Sequence, residues 1–67
     1  MDQVMSTELR VSLHELNNIF TIIVSSADLM LLDAEKDTQS EQDLKNILRA
    51  CERGKKLVED LRARNLT

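Results

Sequence analysis

The stretch LRVSLHELNNIFTIIVSSADLM, Leu9 to Met30, decides how this chain folds. Its apolar residues fall at Leu9, Leu13, Leu16, Phe20, Ile23, Ala27 and Met30, in steps of 4, 3, 4, 3, 4 and 3. That rhythm keeps one face of an α-helix apolar along its whole length, and it is the heptad spacing of helices in a left-handed bundle. Ile19, Val24 and Leu31 widen the stripe beyond a two-stranded seam, which favours a multi-helix core. Leu9, Leu16, Ile23 and Met30 take heptad position d, and Leu13, Phe20 and Ala27 take position a. The spacing predicts a first helix over about 4–33, roughly 45 Å long at 1.5 Å per residue.

A second apolar rhythm lies toward the C-terminus, at Leu44, Ile47, Cys51, Gly54, Val58 and Leu61, with Leu48 and Leu57 beside it. It predicts a helix over about 41–64. The polar segment between the two, about 34–40, is a turn with two competing capping boxes, Thr38 with Glu41 and Ser40 with Asp43. Glu41/Lys45, Glu52/Lys56 and Asp60/Arg64 stand four apart, the orientation in which helical ion pairs form. So short a connection makes the helices antiparallel neighbours.

Composition agrees with an all-α fold. The chain has 67 residues, no proline, one glycine and a single aromatic residue, Phe20, so its core is aliphatic. A lone hairpin leaves half of each wide apolar stripe in water, and so few residues hardly offset their ordering entropy. Two hairpins packed face to face remove that exposure. The expected architecture is an antiparallel two-helix hairpin forming a homodimeric four-helix bundle with two-fold symmetry.

The net charge of -3, with both signs interspersed, contains no basic block that would suit nucleic acid. Cys51 has no second cysteine to pair with, which fits a reducing cytosol. The uninterrupted apolar runs, Ile22-Ile23-Val24 and Leu29 to Leu32, are far below the roughly 18 residues that span a bilayer. The N-terminus lacks an apolar signal region. These features lead to the expectation of a cytoplasmic location without direct membrane contact, any tether lying elsewhere in a parent protein.

On this heptad frame His14 falls at position b, just outside the core and facing water. Asn18 lies one turn on, and Thr21, Ser25 and Asp28 continue a polar track; Glu15 follows directly. A neutral imidazole is a competent nucleophile near pH 7. A neighbouring carboxylate can accept one ring N–H and make the other nitrogen more basic. A zinc-protease helix would need a second histidine where Asn18 stands. With one histidine and one cysteine, a zinc site within one chain is not expected.

The run His14-Glu15-Leu16-Asn17-Asn18-Ile19-Phe20 resembles the H-box of the dimerisation and histidine-phosphotransfer domain of two-component sensor histidine kinases, in its H-D/E-x-N-N variety. The segment DLKNILRACERGKKLVEDLRARN, Asp43 to Asn65, is similar to the family's second helix at Ile47, Glu52, Arg53, Leu57, Val58, Asp60 and Leu61. The resemblance implies that His14 accepts the γ-phosphate of ATP and passes it to an aspartate of a response-regulator receiver domain. It further implies that Glu15 is the adjacent acid/base and that Asn18 positions water for dephosphorylating the regulator. Ile19 stands where many members have proline, so the first helix is expected to be straighter than theirs.

One glycine and no phosphate-cradling loop imply that this chain alone holds no cofactor, ATP and magnesium being bound by the catalytic domain of the parent kinase. Thr21, Ile22, Ser25, Leu29 and Leu32 fall on outward b, c and f positions, where a bundle seam does not account for the apolar ones. They are the expected docking surface for the receiver and catalytic domains. Two alternatives share the architecture: a relay that moves phosphate only between receivers, and a passive helical adapter whose histidine does no chemistry.

Overall fold

The computed structural model describes residues 6–65 as two long helices, α1 (Thr7–Asp33) and α2 (Gln39–Asn65), packed as a hairpin. Its principal extents are 54 × 15 × 11 Å and its radius of gyration is 15.6 Å. A globule of this length would have a radius of about 11 Å, so the single hairpin is a rod without an interior of its own.

The expected start of the first helix near Val4 lies outside the described residues. Within them α1 begins at Thr7, because the Ser6 backbone is extended and its hydroxyl accepts a hydrogen bond from the Leu9 N–H at 3.1 Å. At the other end Ala34 leaves the helical conformation while its N–H still reaches the Leu31 carbonyl. The connection is shorter than expected: α2 starts at Gln39 rather than near 41, and it extends to Asn65.

Thr38 is the reason. Its Oγ1 accepts from the Glu41 N–H at 3.2 Å while its hydroxyl donates to the Glu35 carbonyl at 2.6 Å. The Glu41 carboxylate turns back to accept from the Asp37 N–H at 2.9 Å and stands 3.7 Å from Lys45. Asp37 supplies the reversal with a left-handed φ of 63°. The competing box fails because Asp43 accepts from the Gln39 side chain instead. Thr38→Ala is expected to cost about 1 kcal/mol of stability, read as a lower denaturation midpoint with an unchanged slope.

The two helices bury only part of their apolar rows against each other. Leu13 and Ala27 of α1 and Leu44, Cys51 and Val58 of α2 are buried; Phe20, Val24, Leu31 and Leu48 are half-buried. The seam inside the hairpin therefore runs along positions a and e of α1. The d row, Leu9, Leu16, Ile23 and Met30, stays between 36% and 61% exposed. Ile47, Leu57 and Leu61 form the matching open row on α2. One hairpin thus satisfies half of its apolar pattern.

Gly54 has a specific role in this packing. A Cβ built there would lie 2.5 Å from the tip of the Phe20 ring, so the glycine lets the ring rest on the backbone of α2. Gly54→Ala gains helix propensity of about 1 kcal/mol but incurs an overpacking penalty of about 1–3 kcal/mol. We expect net destabilisation in the natural chain and net stabilisation once Phe20→Leu has cleared the space. Chemical denaturation of the two single variants and the double variant would show that reversal of sign, and simple additivity would refute it.

The apolar content of α1 has a second consequence. Averaged over an 18-residue window its mean hydropathy reaches 1.3, so by length and composition the helix could cross a membrane. This corrects the expectation drawn from uninterrupted runs alone. The polar residues that break those runs are too few to pull the average of the whole helix down.

Candidate functional site

His14 owes its position to its neighbour. Leu13 is buried against Val58, with Phe20 packed on the same cluster, and this contact fixes the rotation of α1 about its axis. The next residue is turned by about 100° and so emerges at the rim of the seam. His14 is exposed there, as are Glu15 and Asn18. Among the described residues no hydrogen bond joins the imidazole to Glu15 or Asn18, so all three side chains are open to a ligand or a docking partner.

The polar track beyond them is only partly available. The Thr21 hydroxyl donates to the Asn17 carbonyl at 2.9 Å, a bond within the helix that occupies its one donor. Ser25, Asp28, Leu29, Leu31 and Leu32 line an open, mostly apolar depression of about 550 Å³ toward the turn. The structure thus brings Ser25, Leu29 and Leu32 together, and it adds Asp28 and Leu31. Ile22 is exposed on the same helix but lies outside this depression, and so does Thr21. Leu32 is 81% exposed, an unusual position for a leucine that contacts nothing else.

A second depression, of about 330 Å³, contains the histidine itself and is lined by Arg10, Val11, His14 and Arg62. Arg10 precedes His14 by one turn of α1, and Arg62 reaches the same place from the last turns of α2. Neither arginine was singled out from sequence. The spacing of Arg10 to His14 was a readable signal, whereas Arg62 approaches only through the antiparallel register. Among the described residues no group of three His, Cys, Asp or Glu side chains could hold a metal ion.

The arrangement is a solvent-facing nucleophile with a carboxylate beside it in sequence, a carboxamide one turn on and two guanidinium groups on its other flank. No curated protein and no solved structure matches the chain. The family described as His Kinase A (phospho-acceptor) domain matches residues 4–65, nearly the whole chain. With a helical hairpin and an exposed histidine on its first helix, the chain belongs to the His Kinase A family, the phospho-acceptor and dimerisation module of histidine kinases.

Proposed function

We propose that His14 is the phosphoacceptor, that two copies of the chain pair into a four-helix bundle, and that the phosphate is destined for a response-regulator aspartate. The observation that carries this reading is the placement of the chain's one histidine: exposed, at the edge of the seam, with Glu15 and Asn18 within one turn. One ring nitrogen attacks the γ-phosphorus of ATP held by the parent's catalytic domain, the bond to the bridging oxygen breaks, and ADP leaves. Glu15 takes up positive charge or the proton from the other ring nitrogen. Asn18, one turn further, is placed to orient a water molecule during dephosphorylation of the regulator.

The test is to incubate the chain with ATP and the catalytic domain and to look for phosphate that is labile in acid and stable in base. Absence of such label while the intact kinase is active would sink the reading. Label arriving only from a phosphorylated receiver would favour the relay instead.

The exposed leucines toward the turn support docking of the receiver and, in turn, the catalytic domain. Ile22→Asp and Leu29→Asp are each expected to slow phosphotransfer by at least about tenfold, as loss of a central apolar contact does at other interfaces. Unchanged rates in a folded dimer would refute the docking surface. We read α1 as a bundle helix in the cytoplasm, because Glu15 and Asp28 interrupt it and its seven-residue apolar rhythm suits packing against other helices.

A further inference from the structure

The depression around His14 contains two cations that the proposed chemistry has not used. Arg10 and Arg62 line it from opposite helices, with Val11 as an apolar wall. Among the described residues neither guanidinium is engaged in an ion pair or hydrogen bond. Two like charges brought to one small depression repel, and in a chain of net charge -3 carboxylates were available to separate or neutralise them. Their convergence on the single histidine is explained if the depression receives an anion.

We propose that Arg10 and Arg62 form a phosphoryl-binding clamp that holds the group carried on the His14 ring. This rests on the reading of His14 as the acceptor and adds the residues that stabilise the phosphorylated state. A phosphoryl group on a side chain carries close to two negative charges at neutral pH. The planar guanidinium fork matches two of its oxygens at once, which a lysine ammonium cannot do. Arg10 is on the same helix face as His14 by its spacing of four, so it follows the ring. Arg62 is fixed by α2, so the clamp closes only when the hairpin is correctly registered. The apolar side of the depression at Val11 strengthens both contacts by limiting water.

The clamp can be tested without a kinase domain. With phosphoramidate as donor, a ring nitrogen of His14 attacks phosphorus, the P–N bond breaks, and ammonia leaves with a proton. The full chain, Arg10→Gln/Arg62→Gln and Arg10→Lys/Arg62→Lys would be compared by ³¹P NMR for labelling rate. The double glutamine variant is expected to label about tenfold more slowly, the equivalent of one lost charge-assisted contact in the transition state. The double lysine variant should fall between. Added sulfate should slow labelling of the natural chain and leave the glutamine variant unaffected, a difference that a general loss of helix structure would not produce.

If the double variant fails to fold, Arg10→Gln alone lies on an exposed turn and should slow labelling about threefold. Equal rates in the natural chain and the glutamine variants, with His14→Gln unlabelled, would overturn the clamp and leave His14 as acceptor. Equal label in His14→Gln and the natural chain would overturn both.

Discussion

His14→Gln is expected to remove all acid-labile phosphate from the chain while leaving its helix content and dimerisation unchanged. Glutamine keeps length and polarity at an exposed position, and such surface changes usually alter stability by less than about 0.5 kcal/mol. It has no lone pair on a basic nitrogen, so no phosphoramidate can form. The loss should be complete rather than graded, because the chain contains no other histidine. Companion variants divide the site by function. Glu15→Gln should slow acceptance of phosphate by about 10²–10⁴-fold, the usual contribution of a positioned acid/base. Asn18→Ala should leave acceptance within a small factor and reduce dephosphorylation of the regulator. Quantifying label over time in both directions separates these outcomes, and equal losses in both directions for Asn18→Ala would remove its assigned role.

The fold was legible because the deciding signal is a period. Seven positions from Leu9 to Met30 keep the heptad rhythm without interruption, and nothing local opposes a helix there. What could not be read was which apolar row faces which partner. Positions a and d are equally apolar in this sequence, yet Leu13 and Ala27 are buried within the hairpin while Leu16 and Ile23 remain open. The choice comes from the turn and from close approach at small residues. Asp37 reverses the chain in a left-handed conformation, Thr38 caps α2 two residues earlier than the polar composition suggested, and Gly54 admits the Phe20 ring. Each is a three-dimensional fit that periodicity does not encode.

The candidate site divides in the same way. His14, Glu15 and Asn18 lie within one turn of one helix, so their proximity follows from spacing alone. Ser25, Leu29 and Leu32 likewise share a depression because they sit three and four apart. Arg62 is different: it belongs to the far end of the chain and reaches His14 only after the hairpin closes with Leu13 against Val58. Its role depends on packing, and no sequence pattern announces it.

Leu16→Asp combined with Ile23→Asp is expected to abolish the dimer. Both side chains belong to the d row that one hairpin leaves substantially exposed, and Ile47 and Leu61 on α2 leave a parallel row open. A monomer with these rows in water keeps few buried side chains, five among the described residues. Pairing two copies would cover all four rows. Each full burial of a leucine or isoleucine side chain is worth about 1.5–3 kcal/mol, and two-fold symmetry repeats every substitution in the partner. Two substitutions in each chain therefore remove at least about 6 kcal/mol of association energy before the charge is counted. An aspartate buried without a partner adds a penalty of several kcal/mol. The dissociation constant should rise by more than about a thousandfold, since every 1.4 kcal/mol is tenfold. Because the hairpin has so little interior, loss of the dimer should also lower the thermal midpoint and abolish its dependence on protein concentration. Leu29→Asp, on an outward row, is the matched control and should leave both measurements unchanged. Sedimentation equilibrium with melting curves at several concentrations decides the matter. A double-aspartate variant that still sediments as a dimer would place the seam on another face of the hairpin, and the exposed d row would then need a different explanation.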